Sequence, residues 1–409
     1  MDVDNRALVA FNQGRRERSR RAISCWFRER QSEPFMRRNA TLFDIADALG
    51  ISTGTVHRAL HNHPGVSAAT RSRVLQVSKT LGYRPNLAAR FLSQRKQFRI
   101  SVNTLSGTTS FWDEVRDGIH QGARALGVEN VELEFRTYPL LGEAEEEAFQ
   151  SAMKADSNGI VAFPSQPRNF RSWMKRAAKY KTSVVCVSTD APDSGRLAVV
   201  SIDTMASGSL AADLLGRFLA RKGKVAATLS ALSINEHAEK FQAFRSTLQS
   251  LHPEMQVLEP IEDHDTESEA YDKCRALFAA HPDLAGLYIT TEASIPVIQA
   301  ARDSGVLDKL SIITTDLFPK LAEELRAGNI AATIYQRPRT QGRLAFQVLY
   351  NYLADGRTPQ QQVTLVPHLV MRGNLDYFLA RHPMGARAKA ASATAEENNG
   401  EADELATFD

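Results

Sequence analysis

The chain has 409 residues, more than one typical domain holds, and its hydrophobic content of 43% is ordinary for a globular protein. No run of about eighteen apolar residues predicts a transmembrane helix, and the first residues lack the features of a signal peptide. Three widely spaced cysteines, Cys25, Cys186 and Cys274, fit neither a disulfide framework nor zinc ligation. These features favour a protein of the reducing cytosol with two or three domains.

Residues 1–38 are rich in arginine and show little hydrophobic periodicity. The basic excess continues through the first hundred residues, although the net charge of the whole chain is only +3. A basic amino-terminal region in a chain that is otherwise nearly neutral is typical of a domain that binds a polyanion. The alternative interpretation of the charge is a basic surface that is merely exposed to solvent. For residues 1–38 themselves, disorder or a true translation start at Met36 is favoured over a phosphate-contacting arm.

Three short helices are predicted next. Apolar residues recur with helical spacing from Leu42 to Leu49, and Gly50 ends that helix. A second helix is predicted from Thr53 to Leu60, and the link between the two is so short that they must form a helix-turn-helix. Ser67 can cap a third helix, which Gly82 ends.

The same stretch carries a more specific set of motifs than a bare helix-turn-helix. They are Thr41-Leu42, Asp44-Ile45-Ala46, Gly50-Ile51-Ser52, Thr55-Val56, Arg58-Ala59-Leu60, Pro64-Gly65-Val66-Ser67, Thr70, Arg73-Val74 and Leu81-Gly82-Tyr83-Arg84-Pro85-Asn86. This set resembles the DNA-binding head of the lac-repressor and gal-repressor family of bacterial transcription regulators. The resemblance implies a helix-turn-helix domain at residues 39–84 and a hinge helix with its linker at residues 85–97.

By this resemblance, Thr53 to Leu60 is the recognition helix and Thr53, Gly54 and Arg58 occupy its base-reading positions. Arg58 can form two hydrogen bonds with a guanine edge, whereas Gly54 offers no side chain for a contact. His57 stands where the family usually has serine, and either a DNA contact or a merely exposed side chain is compatible with that position.

Other positions of the head are expected to contact DNA without reading bases. Ser52, Thr55 and Asn62 are candidates for phosphate contacts that set the register. The resemblance adds Thr41, Tyr83, Asn86 and Ala89 to the expected DNA-binding residues. The hinge helix from Leu87 to Leu92 is too short to be stable alone, and the resemblance implies that it orders when two chains pair on the operator and that Leu92 enters the minor groove.

From Phe98 onward, strand patterns alternate with helical patterns. Strands are predicted at Ile100 to Leu105, Val131 to Phe135, Gly159 to Phe163, Ser183 to Val187, Lys224 to Leu229, Gln256 to Glu259, Ala285 to Ile289, Leu310 to Thr315, Ile330 to Tyr335 and Val363 to Leu369. Such alternation predicts an α/β effector domain at residues 98–380, made of two doubly wound parallel-sheet lobes. Ligands of such lobes bind at the carboxyl ends of the strands, in the cleft between them.

This part of the chain resembles the sugar-binding branch of the same family, which is similar to the periplasmic ribose- and galactose-binding proteins. The resemblance implies a ligand site formed by Phe111, Trp112, Asp190, Glu236, Lys240, Thr291, Asp316 and Gln336. Aromatic faces suit the apolar side of a sugar, and carboxylates and amides suit its hydroxyls. The chain departs from the pattern of this branch at two places: Lys240 replaces the usual arginine, and Thr291-Glu292 replaces an asparagine-aspartate pair. These departures affect the identity of the ligand more than the location of its site.

Several candidates also have a purely structural interpretation. Phe111 and Trp112 could pack at the lobe interface, Asp190 could cap a turn, and Asp316 could cap a helix. Asp263-His264-Asp265 is interpreted as a solvated loop and not as a metal site. The sequence has no nucleophile elbow, phosphate-binding loop or metal-ligand spacing, which predicts a protein that is not an enzyme and needs no cofactor.

The function predicted from these features is a cytoplasmic homodimer that represses carbohydrate-utilisation genes by binding a pseudo-palindromic operator. A small molecule in the cleft, expected to be a sugar or a sugar derivative, would control its affinity for DNA. Residues 381–409 are predicted to be a disordered tail, and their lack of leucine heptads favours a dimer over a tetramer. The alternatives are a regulator with a nucleobase-like co-repressor and a periplasmic-type solute-binding protein, which would not carry the head.

Overall fold

The computed structural model describes residues 41–60, 64–81, 97–106, 109–126, 130–139 and 143–382. The chain divides into two compact units, Met1–Ala89 and Arg90–Asp409. The predicted hinge residues Asn86, Ala89 and Leu92, together with Asn62 and Tyr83, lie outside the described residues, as do the amino-terminal extension and the segment after residue 382. None of the described helices has the length and apolar character needed to cross a bilayer.

The head consists of α1 (Leu42–Leu49), α2 (Thr53–Leu60) and α3 (Ala68–Thr80), which confirms the three predicted helices. At the start of α1, the Thr41 backbone N–H donates to the Asp44 carboxylate and the Asp44 backbone N–H donates to the Thr41 hydroxyl, which together form a capping box. The small core of the head is formed by residues that all three helices supply: Ile45, Ala46, Val56, Ala59 and Val74.

The second unit contains two lobes, and the chain builds most of each lobe in turn. Lobe 1 begins with β1 (Phe98–Leu105), α4 (Thr109–Leu126), β2 (Val131–Tyr138), α5 (Glu143–Lys154), β3 (Gly159–Ala162), α6 (Pro167–Lys179), β4 (Ser183–Val187) and β5 (Ala198–Ile202). Lobe 2 follows with α7 (Thr204–Phe218), β6 (Gly223–Leu229), α8 (Asn235–Leu251), β7 (Met255–Val257), β8 (Ile261–Glu262), α9 (Glu267–Ala280), β9 (Leu284–Ile289), α10 (Ser294–Asp303), a 3₁₀ turn (Leu307–Lys309), β10 (Ser311–Thr315), α11 (Pro319–Ala327) and β11 (Ala332–Tyr335).

The last part of the chain returns to each lobe once. Helix α12 (Pro338–Asp355) and β12 (Gln362–Leu365) complete lobe 1, and β13 (His368–Val370) and α13 (Leu375–Arg381) complete lobe 2. The strand order is β12-β5-β4-β3-β1-β2 in lobe 1 and β13-β11-β10-β9-β6-β7 in lobe 2, where β8 also pairs with β6. All of these pairs are parallel except β11 with β13.

The chain therefore passes between the lobes three times, near Asp203, at Gln336 and at Pro367. One strand prediction was wrong because of the third passage. The single strand predicted from Val363 to Leu369 is two strands in different lobes, separated where Pro367 lacks a backbone N–H for a sheet. The strand predicted at Gln256 to Glu259 was wrong in its bounds, because β7 ends at Val257 and β8 begins at Ile261. Strand β5 was not predicted.

Helix α4, whose first turn lies at the cleft, is held by an unusually close contact with α12. A Cβ added at Gly118 would lie 2.0 Å from the Arg339 carbonyl oxygen, and one at Gly342 would lie 2.0 Å from the Val115 carbonyl oxygen. Larger residues would separate the two helix backbones, so these glycines fix the position of α4 on lobe 1.

Candidate functional site

Helix α2 presents one face to the core of the head and the opposite face to solvent. Val56 and Ala59 are buried, whereas Gly54 and Arg58 are exposed and His57 is half-buried. At 3.6 residues per turn, Gly54, His57 and Arg58 project from the side opposite Val56 and Ala59. Two of the three predicted base-reading positions, Gly54 and Arg58, therefore lie together on the outward surface of the helix, and the third, Thr53, is half-buried at its first residue.

The side chains predicted to contact phosphates begin the helices. The Ser52 hydroxyl accepts a hydrogen bond from the Thr55 backbone N–H at 3.2 Å and lies 2.9 Å from the Thr55 hydroxyl. Ser52 is thus positioned at the amino terminus of α2 as Thr41 is at that of α1. Helix amino termini favour anions, so these positions suit the phosphate contacts predicted for them.

A cavity of about 50 Å³ lies between the two lobes of the effector domain, at the carboxyl ends of their parallel strands. Its volume is several times that needed for one water molecule. Lobe 1 lines it with Leu105, Phe111, Trp112, Phe163 and Ser188, and lobe 2 lines it with Glu236, His237, Asp265, Thr290, Thr291, Glu292, Asp316 and Gln336. Six of the eight predicted ligand residues are therefore brought together: Phe111, Trp112, Glu236, Thr291, Asp316 and Gln336.

Three aromatic rings form the apolar part of this lining. The rings of Phe111 and Trp112 meet edge to face at 4.9 Å, and Trp112 meets Phe163 in the same way at 4.9 Å. Because edge-to-face packing is directional, each ring restrains the orientation of its neighbour. Phe163 was not among the predicted ligand residues, although its place at the end of β3 matches that of Phe111 after β1.

A continuous row of hydrogen bonds links the polar residues of the cleft. The Ser188 hydroxyl donates to Glu236 Oε2 at 3.0 Å, and the Lys240 ammonium donates to Glu236 Oε1 at 2.5 Å and to Gln336 Oε1 at 2.7 Å. Gln336 Nε2 in turn donates to Asp316 Oδ2 at 2.7 Å. Lys240 is 0% exposed, so it lies beneath the cavity and supports the lining residues from behind.

Burial and pairing set the charges in this row. Burial alone would raise the pKa of Glu236, but the charge of Lys240 and the hydrogen bonds outweigh it and lower that pKa. Burial would lower the pKa of Lys240, yet Glu236 holds it above its ordinary value. For Asp316, burial prevails over its hydrogen bonds from Gln336 and raises the pKa to about 7. The pair is therefore ionised, while Asp316 titrates near neutral pH.

Glu292 joins the two lobes across the cleft. Its carboxylate, in lobe 2, accepts hydrogen bonds from the backbone N–H groups of Ser110 at 3.1 Å and Phe111 at 3.2 Å, in the first turn of α4. Burial raises its pKa, and these donors offset only part of the rise. The neighbouring Thr291 hydroxyl accepts from the Ala293 N–H at 3.3 Å. Glu292 was not among the predicted site residues, although its place beside Thr291 in a recognised motif could have indicated it.

The structure places Asp190 differently from the other candidates. Its carboxylate forms a two-pronged ion pair with Arg196, including a contact of 2.6 Å to Nη2, and it is not among the cavity-lining residues. Its backbone carbonyl accepts a hydrogen bond from Asn235 Nδ2 at 3.0 Å, which adds a link between the lobes. The role of the Asp190 carboxylate in binding a ligand stays a prediction.

Three lining residues of the cleft have left-handed backbones that favour glycine. Ser188 has φ 70° and Asp316 has φ 65°, and both follow the carboxyl end of a strand, while Asp265, with φ 56°, lies in the loop after β8. Conformations of this kind cost of order 1–3 kcal/mol for most non-glycine residues and concentrate at functional sites. Here all three belong to polar residues that line the same cavity.

The loop from Asp263 to Asp265 is not the solvated loop that was predicted. Asp263 is 0% exposed, and burial together with Asp265 raises its pKa to about 7. Asp265 lines the cavity, where its Oδ2 accepts a hydrogen bond from the Ser230 hydroxyl at 2.8 Å. Tertiary packing of β8 and α9 buries Asp263 and half-buries Asp265, which their local sequence does not reveal, while His264 stays exposed. The described residues hold no group of His, Cys, Asp or Glu that could bind a metal ion.

A helical head with an outward reading surface, carried on the same chain as a two-lobed domain with a polar cleft, defines a DNA-binding regulator with an effector domain. The chain belongs to the periplasmic binding protein domain family, whose model matches residues 100–358, and its head belongs to the bacterial regulatory proteins of the lacI family, matched at residues 41–86. The predicted family is thereby confirmed. It is a family of regulators, which agrees with the prediction that the chain is not an enzyme.

Individual relatives agree with this assignment. Catabolite control protein A of Staphylococcus aureus (strain MRSA252) is 24% identical over 349 residues, which cover 81% of this chain and 98% of the relative. The glucose-galactose binding protein GanP of Geobacillus stearothermophilus has a similar fold, with a TM-score of 0.64 and 23% identity over 68% of this chain and 99% of its own. A solute binding protein of Agrobacterium vitis bound with α-D-tagatopyranose gives a TM-score of 0.65 and 20% identity over 71% of this chain and 100% of its own.

Proposed function

We propose that this regulator is a dimeric repressor whose affinity for operator DNA is controlled by a sugar or sugar derivative in the cleft. The observation that carries the proposal is the cavity itself, in which three aromatic rings face a row of carboxylate, amide and hydroxyl groups. A sugar presents the complementary combination, an apolar C–H face and a rim of hydroxyls. Because DNA is its target, we place the protein in the bacterial cytoplasm.

Side-chain hydrogen bonds between the lobes support a ligand-controlled mechanism. Glu236 with Ser188, Glu292 with the first turn of α4, and Tyr335 with Glu114 at 2.6 Å all join lobe 1 to lobe 2. A ligand that enters the cavity must replace or rearrange contacts of this kind, so it changes the relative free energies of the closed and open lobes.

The proposed coupling between ligand binding and DNA binding depends on a dimer that contacts two operator half-sites at once. In a dimer, two α2 helices would read successive major-groove faces of a pseudo-palindromic operator. A change in lobe closure would alter the spacing of the hinge segments, residues 85–97, and hence their pairing on DNA. A coupling free energy of about 1–3 kcal/mol is sufficient for such control.

The names of the structural neighbours support the ligand class. One is a glucose-galactose binding protein and another was obtained with α-D-tagatopyranose. At 23% and 20% identity, these similarities concern the fold and not the ligand. The ligand class of this chain therefore needs a direct test.

A thermal-shift screen of the full chain against monosaccharides, polyols and nucleobases tests the proposal. A ligand present at a hundred times its Kd stabilises the protein by about 2.7 kcal/mol, so a sugar should raise the unfolding temperature. Asp316→Ala should remove that response, while Asp193→Ala, at a carboxylate whose side chain is 88% exposed, should retain it. Stabilisation by nucleobases alone would contradict the proposed ligand class and favour a nucleobase co-repressor.

The sign of control and the dimeric state require separate measurements. Operator titrations with and without the stabilising sugar distinguish induction, in which affinity falls, from co-repression, in which it rises. Light scattering of the purified chain should give the mass of two subunits, and a monomer that binds a single half-site would contradict the dimer.

A further inference from the structure

We propose that the effector carries a positive charge, as a sugar or cyclitol with a protonated amine, and that the cleft rejects anionic derivatives such as sugar phosphates. This inference rests on the proposed function, because it defines the chemical class of sugar that the same cavity would bind. It follows from the charges, the unsatisfied polar atoms and the aromatic rings of the lining.

The lining is strongly acidic. Four carboxylic side chains contribute to it, Glu236, Asp265, Glu292 and Asp316, and among the described lining residues His237 is the only basic one. Burial lowers the pKa of His237 in spite of the nearby carboxylates, so its ring is neutral. An anionic ligand would therefore meet acidic groups at short range in a desolvated site, where repulsion from the ionised ones is strongest.

Two cations close to the cleft, Lys240 and Arg116, are already paired. Lys240 is completely buried and donates to Glu236 and Gln336, so its charge is balanced beneath the cavity. On the lobe 1 side, Arg116 donates to the Leu105 carbonyl at 3.2 Å but forms its ion pair with Asp113 at 2.7 Å. Lys240 pairs with Glu236. Among the described residues, no cationic side chain forms an ion pair with Asp265, Glu292 or Asp316.

Within the described part of the chain, two buried polar atoms of the lining have no hydrogen-bond partner. They are His237 Nδ1 and Thr290 Oγ1, in residues that are 7% and 1% exposed. A neutral imidazole nitrogen is either a donor or an acceptor, and a hydroxyl is both, so the amine and hydroxyl groups of an amino sugar can pair with these atoms. Buried polar atoms left unsatisfied cost about 1–3 kcal/mol, which favours a ligand that supplies such groups.

The aromatic rings favour the same kind of ligand. Phe111, Trp112 and Phe163 line the cavity together with the carboxyl groups. The faces of aromatic rings attract organic cations, and the attraction reaches about 2 kcal/mol in desolvated sites. No group of described residues has the arrangement needed for a metal ion, which favours an organic cation as the occupant.

The raised pKa values of Asp316 and Glu292 are consistent with this occupant. Burial raises the pKa of both carboxyls, that of Asp316 to about 7. A bound cation would lower both pKa values, so binding near pH 7 should release protons to the buffer. Calorimetry in buffers of different ionisation enthalpy measures that release directly.

The test compares three matched sets of ligands for the full chain at pH 7. Glucosamine, galactosamine and mannosamine are titrated beside glucose, galactose and mannose and beside the corresponding hexose 6-phosphates. We expect at least one amino sugar to bind about tenfold tighter than its parent hexose, with proton release, and no phosphate to bind. Tighter binding of a neutral hexose or of a phosphate would overturn the charge inference and leave the proposed function intact. If no sugar of any charge bound, both would fail.

A pair of matched variants tests the origin of the preference. Asp265→Asn keeps an oxygen that can accept the Ser230 hydrogen bond but removes the charge, and asparagine tolerates the left-handed φ of 56° at that position. Asp193→Asn makes the same change at an exposed residue with φ 57°. The ratio of amino-sugar to hexose affinity should fall about tenfold in Asp265→Asn and stay unchanged in Asp193→Asn. An unchanged ratio in both variants would show that the cleft carboxylates do not select the ligand.

Discussion

On the recognition helix, Gly54 and Arg58 face solvent, and a Cβ added at Gly54 would have only the Ser52 hydroxyl, 3.9 Å away, within 4 Å. In the cleft, Glu236 and Lys240 are almost completely buried and are bonded to each other. The first surface is built from side chains that the fold of the head does not need. The second is built from side chains that the fold of the effector domain does need.

This difference determines how each site responds to substitution. A change on the outward face of α2 should alter DNA recognition and leave stability nearly constant, because surface substitutions are usually within about 0.5 kcal/mol. A change in the cleft removes a partner from a buried charge or amide, so stability and ligand binding should change together.

The largest effect is expected from Lys240→Met. The substitution leaves the Glu236 carboxylate buried without its cation, and loss of one partner of a buried ion pair costs about 3–5 kcal/mol. Urea unfolding of the full chain measures the loss. The control is Lys224→Met, which removes the partly exposed ion pair with Asp283 and should cost less than about 1 kcal/mol. Equal losses in the two variants would mean that burial does not distinguish the cleft pair.

A second large effect is a change in pH dependence in Asp316→Asn. The folded state raises the Asp316 pKa from 3.8 to about 7, so the protonated side chain stabilises the fold fully below pH 3.8, and this contribution is lost as the pH rises toward 7. Asparagine does not ionise. The stability of the variant relative to the wild type should therefore increase between pH 4 and pH 8, by up to roughly 4 kcal/mol. Parallel unfolding curves across that range would contradict a strongly raised Asp316 pKa.

On the head, Arg58→Ala should weaken binding to a preferred operator by about 1–3 kcal/mol, because a two-pronged contact with guanine is lost. The preferred operator is obtained by selection from random DNA with the wild-type chain, and its affinity is compared with that for unrelated DNA. Arg73→Ala, at an exposed arginine of α3, should leave the ratio of the two affinities unchanged. Loss of sugar binding in Arg58→Ala would refute the separation between head and cleft.

The smallest effect is expected from Gly54→Ala. Alanine is favoured over glycine in a helix by about 1 kcal/mol, and the added methyl group meets no backbone or core atom. The head should gain about 0.5–1 kcal/mol of stability, measured by circular dichroism during thermal unfolding, while base preference changes at one position of each half-site. A loss of stability would show that this face of α2 is more constrained than its exposure indicates.

The helices of the head and the alternation of strands and helices could be predicted because they depend on local periodicity. Strand β5 escaped prediction because its five residues follow directly on a polar turn that ends near Arg196. The division of residues 363–369 between two sheets was not predicted, because both halves are apolar enough for a single strand. Only the third passage of the chain between the lobes separates them.

The candidate site could be predicted as a set of strand-end positions but not as a set of contacts. Sequence alone indicates Asp316 and Asp190 equally, since each follows a strand and precedes a turn or helix. It does not reveal that Arg196 turns back to bind Asp190, or that Lys240 lies behind the lining and not in it. Asp265 was missed because the polar sequence of its loop indicates exposure to solvent. In the fold, Asp263 is buried and Asp265 lines the cavity.

The ion pair of Lys240 and Glu236 also limits how such a cleft can diversify over evolutionary time. A lineage that replaced either residue alone would leave the other charge unpaired in the interior, and it would lose folded protein before it acquired a new effector. Thr291 and Asp265 take no part in that pair, so they are the accessible first steps. Among descendants of this chain, new effector specificities should begin at positions 265 and 291, with Lys240 and Glu236 changing last and in the same lineage.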